Sequence, residues 1–233
     1  MTLMLFLFAL TIGIYYSVAI VQVKSNFLWL NPLLVTIVAM ALLLWTQEIT
    51  YLRYTQATQG LIFLIDFAVV ALGYPLFKQI KQMKQHWRPI LLLLGFGVFL
   101  VIGVSLVMTM LLINSPEIAI SLSLKSVTNP IGIALTEQLA GNSSITAIAI
   151  IMAGLFGALL GPAWLRFINV HSAAAQGLAI GASSHVIGTA SMVKHGHIHG
   201  AYSSIALILS ALLTSFISPW FIPFLLKAFI NNS

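Results

Sequence analysis

Apolar runs, most of them near the length that crosses a lipid bilayer and separated by short polar stretches, make up almost the whole chain. A spanning helix needs about 20 mostly apolar residues, because the hydrocarbon core is about 30 Å thick and each residue rises about 1.5 Å. Six runs read as continuous spans: Leu3 to Val23, Pro32 to Trp45, Leu61 to Phe77, Pro89 to Ile113, Ile145 to Phe167 and Tyr202 to Lys227. Pro32 and Pro89 stand where a helix tolerates proline best, at its first position. Lys24 to Asn31 is a short connection, Thr46 to Gly60 a polar loop, and Lys194 to His199 another. The run at the N-terminus lacks a basic start and a small-residue cleavage site, so it is expected to be a retained helix.

Two further stretches, Glu117 to Ala140 and Ala173 to Met192, are hydrophobic but interrupted by polar residues, glycine or proline. The pattern predicts an all-α integral membrane protein: one polytopic helical bundle over residues 1–233, with about seven or eight membrane segments. The two interrupted stretches are expected to be discontinuous or re-entrant.

Composition strengthens this. The 233 residues are 60% hydrophobic and 6% charged, with a mean hydropathy of +1.06. A soluble domain carries roughly a quarter charged residues, so lipid must cover most of this surface. The net charge of +6 does not point to nucleic acid. Lys78, Lys81, Lys84, His86 and Arg88 cluster between two apolar runs, which marks the loop 78–88 as cytoplasmic by the positive-inside rule. The absence of cysteine excludes disulfides, thiolate metal sites and a cysteine nucleophile.

Candidate chemistry sits in the interrupted stretches. A helix in lipid must satisfy its backbone internally, and irregular backbone at depth is tolerated only inside protein or beside a watery cavity. Lys125-Ser126-Val127-Thr128-Asn129-Pro130 breaks the first stretch. Pro130 removes an amide donor and disfavours helical geometry at Asn129. A lysine at membrane depth is costly unless engaged, and is a functional candidate by default. In the second stretch, Gly181, Ser183, Ser184, His185, Gly188 and Thr189 combine backbone freedom with hydroxyl and imidazole groups. Helix ends exposed at mid-membrane attract ions, and transporters place broken helices around a substrate site. Lys125 with free amides suits an anion; snorkelling of Lys125 and a simple kink at Pro130 are the plainer alternatives.

Asp66 stands alone in the third run, as half of a structural ion pair or as a site for a coupling ion. Gly154, Gly157 and Gly161 have the spacing of a close helix-packing face. His195, His197 and His199 alternate, but without a nearby carboxylate or cysteine no metal is expected there. Gly181-Ala182-Ser183-Ser184 has a faint likeness to a membrane serine protease, yet the last span has no histidine to serve as base, so no enzyme and no cofactor are expected.

Several blocks in order, Lys125 to Ile131, Gly154 to Pro162, Gln176 to Ala190, His199 to Ser204 and His86 to Ile90, resemble the LrgB/CidB family over about residues 26–228. The resemblance implies a multi-pass protein of a bacterial plasma membrane. It also implies two functional labels: holin-like or antiholin-like control of murein hydrolase activity and autolysis with a small LrgA/CidA-type partner, and transport of small monocarboxylates, as in plastid relatives that move glycolate and glycerate. A homo-oligomer is compatible with either. Where the family often carries a glutamate after the proline motif, this chain has Ala134, and Glu137 follows one turn later. The interrupted stretches favour transport, because a hole-forming protein needs no selective site. Lys125, Ser126, Thr128, Asn129 and Pro130, with the second-stretch residues above, are the expected substrate site. A proline-bearing segment before a long span occurs at both 61–113 and 118–168, a pattern suggestive of an inverted repeat.

Overall fold

Uniformly apolar runs in lipid have one local solution, the helix, and every regular element among the described residues is helical. The computed structural model describes residues 2–25, 30, 32–61, 63, 64, 67, 74, 77 and 87–230. Asp66, most of the third run, and the basic loop from Lys78 to His86 lie outside the described residues.

The chain divides into two units, Met1–Gly73 and Tyr74–Ser233. In the first, α1 (Thr2–Ser25) packs against α2 (Pro32–Thr46) and α3 (Tyr51–Ala57). The stretch read as a polar loop therefore contains a short helix. Thr11 Oγ1 and Tyr54 OH share a hydrogen bond of 3.2 Å that joins α3 to α1.

The second unit holds α4 (Trp87–Ile113), α5 (Pro116–Ser123), α6 (Asn129–Gln138), α7 (Ser143–Phe167), α8 (Ala173–His195) and α9 (His197–Ile230). Among the described residues four helices are long and apolar enough to cross a membrane: α1, α4, α7 and α9. The two interrupted stretches are not among them, and each is folded back on itself.

The first hairpin is α5 and α6. At about 1.5 Å per residue they are roughly 12 and 15 Å long, too short to cross. Their outer ends meet: Asn142 Nδ2 donates to Glu117 Oε1 at 3.1 Å, and the Asn142 amide donates to Ser121 Oγ at 2.7 Å. Thr146 Oγ1 on α7 ties the two arms, sharing 2.8 Å with Thr136 Oγ1 and donating to the Ser121 carbonyl at 3.2 Å. Residues 124–128 form the tip.

The second hairpin is α8. Its helix breaks at Ser184 (φ −126°, ψ 15°) and His185 (φ 41°, ψ −136°) into arms 173–183 and 186–195. The arms return side by side, since a Cβ on Gly188 would lie 3.1 Å from the carbonyl oxygen of Ile180. Both outer ends reach the same turn of α9: Gly177 faces the His199 carbonyl, and Gly200 faces Val193. The expected loop before the last span is thus a single turn at Gly196 (φ +138°), with His195 ending α8 and His197 starting α9. Docking of the α8 arms against α9 extends that helix beyond its apolar run, which is why it begins before Tyr202.

A hairpin followed by a long helix occurs twice in this unit, α5–α6 then α7, and α8 then α9. The basic residues Arg88, Arg166 and Lys194 fall at one end of the unit, where α4 starts and α7 and α8 finish. Glu117 and Glu137 fall at the other, at the mouth of the first hairpin. Two apolar clusters set this order: Ile90 and Leu94 of α4 with Leu178 and Ile205, and Ile102, Leu106 and Met110 of α4 with Ile120, Leu135, Ile217 and Ile222.

Candidate functional site

The hairpins enter from opposite ends and their tips reach the same middle stretch of α7. Gly132, just past the first tip, lies so close to Ile150 that a Cβ there would fall 2.5 Å from Ile150 Cδ1. From the other end, His185 Nε2 is 2.7 Å from the Ile150 carbonyl oxygen. The spacing of Gly154, Gly157 and Gly161 makes this approach feasible: they face His185 and Ile187, Ser184, and Ile180 in turn. Small residues let backbones come close where no larger side chain fits.

The first tip carries the charge. Lys125 follows the last turn of α5, where the helix leaves carbonyls unpaired and its dipole favours a cation. Lys125 is half-buried, and Nζ donates to the Leu122 carbonyl at 3.3 Å and to Ser105 Oγ of α4 at 2.8 Å. Ser105 Oγ in turn donates to the Leu122 carbonyl at 3.0 Å. Both partners of the ammonium among the described residues are uncharged oxygens. Lys125 also borders an apolar groove of about 630 Å³ along α7, with Leu122, Ala149, Met152, Ala153 and Phe156 among its walls.

On the other side of the tip, α6 begins at Asn129. Its first amides have no helical acceptor, and Pro130 has no amide to satisfy. Thr128 stands at the N-cap without a capping hydrogen bond from its side chain. Asn129 and Pro130 are exposed, and Ser126 and Thr128 half-buried. The tip therefore presents a positive side chain and the positive end of a half-helix, a combination suited to one small anion.

The second tip is more fully engaged in packing. Ser184 and His185 are 1% and 4% exposed, so the second tip is closed against α7. Gly181 lies against the backbone of Ser203, and Ser203 Oγ donates to Thr189 Oγ1 at 2.9 Å. Gly188 fills the inside of the hairpin, and only Ser183 among these residues is exposed, its hydroxyl donating to the Ala179 carbonyl at 2.8 Å. The positive φ of His185 is rare for a non-glycine residue and marks a strained elbow held by its surroundings. The two expected site segments are thus brought to one level of α7, with accessible polar groups at the first and internally bonded ones at the second.

Glu137 accepts from Ser143 Oγ at 3.3 Å at the mouth of the first hairpin, a hairpin's length from Lys125. His199 Nε2 is 3.2 Å from Gln176 Oε1, which ties α9 to α8, and no group of three metal-binding side chains occurs among the described residues. Ser105 escaped the sequence reading. The only signal was that it is the first hydroxyl residue along α4, and nothing local tells which segment it meets.

The sequence pattern of the LrgB-like family matches residues 11–224. A Staphylococcus epidermidis protein named holin-like protein CidB is 34% identical over 212 residues, covering 90% of this chain and 92% of the relative. Its namesake in Staphylococcus aureus is 31% identical over 215 residues, covering 92% and 94%. An uncharacterized protein of Haemophilus influenzae is 30% identical over 190 residues, covering 82% of each chain. No solved structure matches.

Proposed function

The chain belongs to the LrgB-like family of membrane proteins, and from that premise we propose that it carries a small monocarboxylate across a bacterial plasma membrane, with Lys125 holding the carboxylate. The observation that carries the reading is the Lys125 ammonium at the tip of a broken hairpin, level with the middle of α7, whose hydrogen-bond partners among the described residues are uncharged oxygens. A charge placed there is costly unless it has work to do. The first amides of α6 complete the anion site, Ser126, Thr128 and Asn129 read the substrate's other oxygens, and Ser183 is the exposed hydroxyl of the second tip.

Two hairpins that enter from opposite ends and stop at mid-membrane suit alternating access around one site. We read α5–α7 and α8–α9 as the two halves of an inverted repeat. The end bearing Arg88, Arg166 and Lys194 is placed in the cytoplasm with loop 78–88, in accord with the positive-inside rule.

Uptake of labelled glycolate, lactate and pyruvate into proteoliposomes tests the proposal. Saturable uptake of at least one, abolished by Lys125→Ala, is expected. No saturable uptake of any of the three, with or without a small membrane partner, refutes it. A second reading draws on the name holin-like carried by the staphylococcal relatives: a regulator of autolysis acting through an LrgA/CidA-type partner. Large unselective leakage of an entrapped dye is the result that favours it.

A further inference from the structure

The Lys125 ammonium does not hang free in its groove. It closes a triangle with Ser105 Oγ at 2.8 Å and the Leu122 carbonyl at 3.3 Å, and Ser105 Oγ bonds the same carbonyl at 3.0 Å. The hydroxyl accepts from the ammonium and donates to the carbonyl, so its bonding directions agree with both contacts. An ammonium has three N–H donors. Two are taken here, and among the described residues no acceptor takes the third, which is left for an incoming oxygen.

From this geometry we propose that Ser105 is a positioning residue for the substrate site: it fixes the Lys125 ammonium so that its remaining donor meets the carboxylate. The inference rests on the carboxylate reading of the first tip. Lysine is a compact charge on a long flexible stem, and an ammonium free to swing loses much of its value as a fixed counter-charge. Without Ser105 the ammonium keeps, among the described residues, the 3.3 Å contact to Leu122, which is long for a charge-assisted bond. The role falls to α4 because that helix is continuous from Trp87 to Ile113, whereas Lys125 lies on irregular backbone between two short arms. Ser105 Oγ links the tip to that rigid helix through both of its bonds.

The test compares wild type, Ser105→Ala, Ser105→Thr and Lys125→Ala in proteoliposomes, using whichever of labelled glycolate, lactate or pyruvate the wild type takes up. Ser105→Ala is expected to raise KM about tenfold, the scale of one lost hydrogen bond to a charge, with Vmax within about twofold. Ser105→Thr keeps the hydroxyl and is expected to restore KM to within about threefold. A second readout needs no transport: the rate at which an N-hydroxysuccinimide ester acylates Lys125 in detergent micelles, followed by mass spectrometry. Ser105→Ala frees the nitrogen and is expected to speed acylation severalfold, while Ser105→Thr stays near wild type.

Unchanged KM and unchanged acylation in Ser105→Ala overturn the inference, even where Lys125→Ala abolishes uptake and so upholds the carboxylate site. A fall in Vmax at constant KM that threonine does not rescue also overturns it. If the wild type takes up none of the acids, the carboxylate reading falls, and the acylation rates alone decide whether Ser105 holds Lys125.

Discussion

Gly181→Ala adds one methyl group at the tightest backbone contact of the second hairpin. The new Cβ would lie 2.7 Å from Ser203 Cα and 2.8 Å from Ser203 C, and closer still to the Ser203 carbonyl oxygen. Carbon atoms in good contact sit about 3.5–4.0 Å apart, so α8 and α9 must separate locally by roughly 1 Å. The obstacle is backbone and has no rotamer to change. Overpacking of this kind costs about 1–3 kcal/mol. Alanine returns up to about 1 kcal/mol of helix propensity relative to glycine, so the middle of that range leaves a net loss of about 1 kcal/mol. For a chain of this size that corresponds to a fall in Tm of roughly 2–4 °C. Gly97→Ala is the matched control, since no atom of the described residues lies within 4 Å of a Cβ at that position of α4. Thermal unfolding of both variants in one detergent, read by tryptophan fluorescence, should show Gly181→Ala below wild type and Gly97→Ala at or above it. A Tm for Gly181→Ala equal to or above wild type would refute the close packing on which the second hairpin depends.

Further outcomes follow from other contacts. His185→Ala and His185→Gly both lose the 2.7 Å contact to the Ile150 carbonyl, but only glycine accepts φ 41° without strain. The glycine variant should therefore unfold about 1 kcal/mol later than the alanine variant, and the reverse order would contradict the strained elbow. Thr146→Val keeps the shape and removes the hydroxyl that bonds Thr136 and the Ser121 carbonyl. A loss of about 1–3 kcal/mol is expected, with faster hydrogen exchange in α5 and α6 but not in α4; uniform exchange along the chain would count against a separately held hairpin. Lys194→Cys should react with an impermeant maleimide only in inverted vesicles, and labelling in intact cells would reverse the proposed orientation.

Much of the candidate site was legible because its parts are expensive in lipid. Lys125 and Pro130 stand out in an apolar chain for a physical reason: charge and missing amides must be accommodated somewhere. The spacing of Gly154, Gly157 and Gly161 likewise announced a close-packing face, and that face receives the second hairpin. The boundaries of α1, α4 and α7 fall within about two residues of the apolar runs, since hydrophobic length and helix length are set by the same bilayer. The last helix began earlier than its run because an intramolecular contact, His199 with Gln176, outweighed the polarity of its first turn.

Sequence by itself determined that this chain lies in a membrane, that it is helical, and that two of its segments are broken at polar positions. Those properties depend on local composition and on the solvent. It left undecided whether a broken segment crosses or turns back, because a kink and a hairpin need the same glycine, proline and polar residues at the break. Tertiary structure decided this through contacts between residues far apart in the chain: Glu117 with Asn142, Ser121 with Thr146, and His185 with Ile150. It also decided which hydroxyl Lys125 meets. Ser105 is an ordinary polar residue in an apolar helix until the folding back of α5 and α6 brings an ammonium within 2.8 Å of it.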